Sequence, residues 1–373
     1  MRPSHFSLVQ YFVDKNNQPL YSFTDNDYHF LFKHIRTGGM KEMKKMLNGL
    51  LLIMVFAIVL AGCGSVGDSS KPETSSGPEQ TTKAVRSVTV KDDHGEVKLD
   101  KPAERVVVLE WAFTEDLIAL GVQPVGNADN ENYRLWITPE AKLADSVTDI
   151  GTRGEPNLEA IAALKPDLII SNTGNNAAIY EQLKGIAPTL EYDFFKGKGY
   201  DYDRMVEIFK QIAVATGKTE QADKVLNDLD QHYMEAKTTL KKADKADFHY
   251  VLTQAFTVQN AATLRMFEDN SLVVETLAKI GMVNDWKSDK TEKYGFSTVG
   301  IEALPAVQDT HFIYITQKTD DVFGAAMKNN SVWKELNFVK EKRTYPLDGT
   351  TWTFGGPISS KVLVDQVVGV LTK

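Results

Sequence analysis

Cysteine is almost absent: Cys63 is the single one in 373 residues. One cysteine makes no internal disulfide, and one thiolate builds no four-ligand metal site. Arginine is scarce too, with seven after Cys63 against 28 lysines. There is no Gly-rich phosphate loop and no Gly-x-Ser-x-Gly elbow, and "GTRGEP" lacks the spacing of a dinucleotide fingerprint. The histidines after Cys63 are His94, His232, His249 and His311. They share no ligand spacing and read as structural or surface residues. The apolar run Leu50 to Ala61 falls well short of the roughly 18–20 residues that span a bilayer.

That run nevertheless has a context. Lys41, Lys44 and Lys45 precede it, and Gly62 and Cys63 end it with small residues. A basic region, a short apolar run and a small-residue end describe a secretory signal, here residues 40–62. After it, "GSVGDSSKPETSSGPEQTTK" holds almost nothing apolar and cannot bury enough surface to fold. Residues 63–85 read as a tether with a mean reach of about 25 Å. Residues 1–39 show no helix or strand period and read as a non-native extension, with synthesis starting at Met40 or Met43. Removing residues 1–62 takes away seven of the 42 basic and four of the 50 acidic residues, leaving a net charge of −11. So acidic a chain is a poor nucleic-acid binder.

The remainder alternates strand and helix. "ERVVVLE" reads as a buried strand, and "TEDLIALG" as a helix capped by Thr114 and stopped by Gly121. "EPNLEAIAALKPDLIISNTG" and "IYEQLKGIAPTLEYDF" each give helix then strand. This alternation implies a parallel sheet covered on both faces, over residues 86–216. Residues 217–245 then place Ala222, Val225, Leu226, Leu229, Tyr233, Ala236 and Leu240 at helical steps, one helix of about 36 Å. Alternation resumes over 246–373, with "FHYVLTQ" and "HFIYIT" as strands. "NLEAIAALKPDLIIS" and "GIEALPAVQDTHFIYIT" echo each other, which suggests two related α/β lobes with mostly parallel sheets joined by one long helix.

Candidate chemistry lies with the arginines. Arg86 and Arg105 flank strands and read as surface residues, Arg204 starts a helix, and Arg343 leads a strand. Arg134 in "NENYRLWI" lies between Tyr133 and Trp136; Arg153 precedes a helix; Arg265 lies between strand and helix. All three are expected in loops at the carboxyl ends of strands, where open α/β sheets bind ligands. A guanidinium fork holds carboxylates bidentately and stacks on aromatics. Trp111 and Trp352 are expected to wall the same cleft. For any one arginine the plain alternative is a surface salt bridge. "YDYD" offers hard ligands for ferric iron, but a helix cap at Asp201 or Asp203 is the favoured reading.

"LAGC" resembles the lipobox of bacterial lipoproteins, and "ERVVVLEWAFTEDLIALGVQPVG", "DIGTRGEPNLEAIAALKPDLIIS" and "TWTFGGP" resemble the ferric-siderophore-binding lipoproteins of bacterial ABC importers, over about residues 86–373. The resemblance implies two Rossmann-like lobes bridged by a long helix, the class III periplasmic-binding-protein type. It implies a Cys63 that carries lipid such as palmitate and anchors the chain outside a cell membrane, Gram-positive by likeness. It implies no catalysis and no cofactor, because the siderophore supplies the iron ligands. Arg134, Arg153, Arg265, Trp111, Tyr133, Trp136 and Trp352 are then the expected contacts to an Fe(III) chelate of citrate or citrate–hydroxamate type. Glu159 and Glu302, one per lobe, match the family's permease-docking glutamates, although a helix-start glutamate also suits the macrodipole. A monomer is expected. A haem or cobalamin receptor of the same fold stays open, as does, in another class, a secreted metalloenzyme or direct metal-ion binder.

Overall fold

The computed structural model describes residues 12–13, 19–21 and 87–373, with Lys198 and Asp289 excepted. Cys63, the expected signal and the tether lie outside the described residues. The chain divides into two compact units, Met1–Lys83 and Ala84–Lys373. In the first, β1 (Phe12–Val13) pairs antiparallel with β2 (Pro19–Tyr21), in a stretch where no strand period is legible.

The second unit opens with a hairpin of β3 (Val88–Asp92) and β4 (Gly95–Leu99). Gly95 takes φ +134°, open to glycine alone, and Asp92 Oδ1 accepts from the amides of His94 and Gly95. The first lobe is built on β5 (Val106–Val108), β6 (Gly126–Asn127), β7 (Thr148–Asp149), β8 (Leu168–Asn172) and β9 (Thr189–Tyr192). All pair in parallel, in the order β7-β6-β5-β8-β9. Both faces are buried: Val106 and Val108 join one apolar core, Val107 and Leu109 another with Ile161 and Leu183. The order reverses between β5 and β8, which opens a crevice at their carboxyl ends.

Helices α1 (Trp111–Ala119), α2 (Asn130–Trp136), α3 (Leu158–Ala163), α4 (Thr173–Asn176), α5 (Tyr180–Lys184) and α6 (Tyr202–Ala215) cover this sheet. The cap of α1 is Glu110, not Thr114: its carboxylate accepts from Trp111 N, so the helix is capped four residues earlier. Thr114 is buried inside the helix and donates to Asn127 Oδ1 at 2.5 Å. Gly121, at φ +76°, follows the helix end as expected. Asp201 caps α6 by accepting from Arg204 N, and Arg204 is tied to Asp93 and Glu207, so "YDYD" is a helix start.

From α6 the chain enters α7 (Thr219–Lys242), 24 residues long, which buries Ala222, Leu229, Tyr233, Ala236 and Leu240. The second lobe follows: β10 (His249–Val258), β11 (Ala261–Phe267), α8 (Leu272–Lys279), β12 (Val283–Asn284), β13 (Phe296–Val299), β14 (His311–Ile315), α9 (Ser331–Glu335), α10 (Asn337–Lys340), β15 (Thr344–Leu347) and α11 (Pro357–Leu371). Its sheet is mixed. β10 pairs in parallel with β12 and β14, and β14 with β15, but β10-β11 and β11-β13 are antiparallel. The β10-β11 turn is Gln259-Asn260, both with positive φ. Arg265 therefore lies on a strand rather than in a loop.

A second connection ties the lobes. Helix α11 packs against α7, α8 and β15, and also against α1. The buried Glu115 of α1 caps it: Oε1 accepts from the amides of Gly356 (2.9 Å) and Ser359 (2.7 Å), and Oε2 from Ser359 Oγ (2.5 Å). Next to it, Asp116 Oδ1 has no hydrogen-bond partner among the described residues and lies where a Cβ on Gly356 would fall. Burial, then the Glu115 charge, push the Asp116 carboxyl well above the usual range.

Candidate ligand-binding cleft

The carboxyl ends of the first-lobe strands supply one side of the site. Glu110 and Trp111 follow β5, Ala128 follows β6, Arg153 follows β7 and Asn175 follows β8. Trp111 Nε1 donates to Ala128 O at 3.0 Å, which fixes the ring across the ends of β5 and β6. The Arg153 guanidinium stacks on that ring, 3.8 Å from its centroid, and Nη1 donates to Glu110 Oε1 at 2.9 Å. Asn176 Nδ2 donates to Arg153 O and Asn175 Nδ2 to Glu110 Oε2, so the turn after β8 holds both members of the pair.

The second lobe supplies Arg265. It pairs in register with Gln254, to whose Oε1 its Nη1 donates at 3.2 Å, and it lies about equally far from the Phe256 and Phe296 rings, 5.1 and 5.0 Å. Burial, and the nearby Arg153 charge, lower its pKa to about 10. An aromatic path joins the two arginines: Trp111 meets Trp352 (5.5 Å), Trp352 meets Phe354 (5.8 Å), and Phe354 meets Phe296 (5.9 Å). The cleft is therefore two buried cations joined by an aromatic floor, with one buried carboxylate on the first.

The other expected residues fall differently. Arg134 is on the last turn of α2, not in a loop. Its side chain is 42% exposed and turned toward Asn130, Ala144 and Asp145. Tyr133 is buried behind Trp111, edge-on to it, with its hydroxyl donating to Ala141 O. Trp136 is half-buried and packs on the same cluster, so both support the Trp111 wall from behind. Six residues at the cleft carried no sequence signal of their own: Glu110, Asn175, Gln254, Phe256, Phe296 and Phe354. Arg343 donates to the carbonyls of Asp309 and Thr310 beside β14. His94, His232 and His249 lie beside Glu191, Asp365 and Asp285, and His311 beside Tyr345. Among the described residues, no group of three or more histidine, cysteine or acidic side chains is placed to hold a metal ion.

Glu159 and Glu302 are exposed, each in the first turn of a short helix, the second of them 3-10 (Ile301–Val307). Each helix leads into the strand beside the first strand of its lobe, β8 beside β5 and β14 beside β10. A helix that returns antiparallel to the sheet puts its first turn at the carboxyl edge, the edge that bears the cleft.

The periplasmic binding protein model matches residues 106–351. The chain belongs to the periplasmic binding protein family. The Fe(3+)-citrate-binding protein YfmC of Bacillus subtilis is 30% identical over 318 residues, 85% of this chain and 96% of its own. The iron(3+)-hydroxamate-binding protein FhuD of Escherichia coli is 30% identical, covering 71% of this chain and 87% of its own. Among solved structures, the siderophore-binding protein FhuD of Vibrio cholerae with Fe3+–Desferal matches with a TM-score of 0.64 at 25% identity, over 72% of this chain and 98% of that one. These relatives are binding proteins rather than enzymes. In this family member, the region matched by the model contains Glu110, Arg153, Gln254 and Arg265 together.

Proposed function

We propose that this protein captures a ferric siderophore of citrate or citrate–hydroxamate type and delivers it to an ABC permease for iron uptake. The observation that carries the reading is the pairing of Arg153 and Arg265, one from each lobe, across a floor of Trp111, Trp352, Phe354 and Phe296. A chelate brings its own iron ligands and presents anionic oxygens on an organic shell. Guanidinium forks and aromatic faces suit that surface, and no protein metal ligand is needed. The relatives named for Fe(3+)-citrate and iron(3+)-hydroxamate support the ligand class.

In this reading Arg153, Arg265, Trp111 and Trp352 touch the chelate, Tyr133 and Trp136 brace Trp111, and Arg134 acts from the rim. The four contact residues are each less than 9% exposed, so the lobes or the 350–356 loop part to admit ligand. Cys63 carries the lipid that holds the receptor outside the membrane, a reading supported by "LAGC" and by lipoproteins among the relatives. Glu159 and Glu302 dock to the permease. Titration of tryptophan fluorescence with ferric chelates, haem and free ions tests the ligand class.

A further inference from the structure

We propose that Glu110 sets the charge class of chelate that the cleft accepts, by fixing a negative charge against one of its two arginines. The inference rests on the reading of the cleft as a ferric-chelate site. Glu110 is 6% exposed and held by three donors: Trp111 N (2.8 Å) and Arg153 Nη1 (2.9 Å) on Oε1, and Asn175 Nδ2 (3.2 Å) on Oε2. It cannot swing away when ligand arrives. Helix capping alone does not explain it, since serine, asparagine or aspartate caps better with a shorter side chain. Glutamate adds reach, and the reach is spent on Arg153. On the other lobe Arg265 Nη1 donates to the amide oxygen of Gln254, a neutral side chain. Asp129, a further carboxylate that feels Arg153, is engaged by Asn132 Nδ2 at 2.8 Å.

A fixed carboxylate repels ligand charge in proportion to that charge. At about 10 Å and an effective dielectric near 20, each added negative charge on the ligand weakens binding by about tenfold. A ferric tris-hydroxamate is neutral, a ferric dihydroxamate–hydroxycarboxylate carries one negative charge, and a ferric tris-catecholate carries three. Offsetting one of the two arginines, Glu110 thus cuts the attraction of the cleft for the third far more than for the first two.

The test compares the affinities of these three chelates, by tryptophan quenching, for the wild type, Glu110→Gln and Gln254→Glu. Glutamine keeps the length and an acceptor for Trp111 N. Gln254 Nε2 has no hydrogen-bond partner among the described residues, so a carboxylate oxygen there breaks no existing bond. The expected result is that Glu110→Gln shifts the preference toward the tris-catecholate by about a hundredfold over the monoanionic chelate and by more over the neutral one, and that Gln254→Glu shifts it the opposite way. Unchanged ratios in the variants, or an equal loss for all three chelates, overturn the role of Glu110. If Glu110→Gln does not melt cooperatively, the ratio in Gln254→Glu alone decides. A folded wild type that binds none of the three overturns the chelate reading itself.

Discussion

Arg153 Nη1 lies 2.9 Å from Glu110 Oε1 while its guanidinium lies flat on Trp111, so one side chain is at once half of a buried ion pair and part of the cleft wall. Removing it does two separable things. Arg153→Ala weakens chelate binding by at least about tenfold, the worth of a charge-assisted hydrogen bond. It also leaves Glu110 buried without its cation and costs about 3 kcal/mol of stability. Urea denaturation of Arg153→Ala and of the double variant Glu110→Gln/Arg153→Ala separates the two. The double variant regains most of the stability and, toward a neutral ferric tris-hydroxamate, none of the binding.

Arg134→Ala is expected to change chelate affinity less than threefold or so, because its partner Asp145 is 92% exposed and solvent screens the pair. An affinity loss equal to that of Arg153→Ala contradicts the rim placement.

Asp116 gives stability a pH dependence of known sign. Its folded pKa lies above its unfolded value, through burial first and Glu115 second. The folded state then holds the extra proton, so stability is lost as pH rises from the unfolded pKa toward the folded one. Asp116→Asn removes the titration. The melting temperature of the variant minus that of the wild type increases from pH 4 to pH 8; a flat difference contradicts the raised pKa.

Gly356 is constrained by close approach rather than by its backbone angle. A Cβ there would lie 2.3 Å from Asp116 Oδ1, a buried atom with nowhere to move. Gly356→Ala is expected to destabilise by about 1–3 kcal/mol, the cost of overpacking. A melting temperature within a degree of the wild type contradicts it.

Glu159 and Glu302 are exposed and lie outside the cleft contacts. Reversing both to lysine is expected to abolish uptake in cells and leave chelate affinity unchanged. Normal uptake by the double variant refutes the docking assignment.

The layout of the fold was legible because its signals are long and periodic. "ERVVVLE" is apolar on both faces and lies at the centre of a parallel sheet; the 217–245 periodicity became α7. The β10-β11 hairpin was not legible, since Gln259-Asn260 lacks the Asn-Gly signature although both residues take positive φ. That single turn is why Arg265 lies on a strand. Arg153 was legible as a loop arginine. Glu110 was not, because its partner is 43 residues away and only the parallel pairing of β5, β6 and β7 brings the two together. Arg134 and Tyr133 had the right composition, but a helix turned the first outward and buried the second.

The central claim is that the Arg153–Arg265 cleft holds a preformed ferric chelate. Tryptophan-fluorescence titration of the folded protein from Cys63 onward, against a ferric citrate-type chelate, the iron-free siderophore, haem and free ferric ion, tests it directly. Saturable quenching by the ferric chelate, lost in Arg153→Ala and Arg265→Ala, is the expected result. Saturation by free iron or haem alone, or chelate binding that survives both substitutions, contradicts the account.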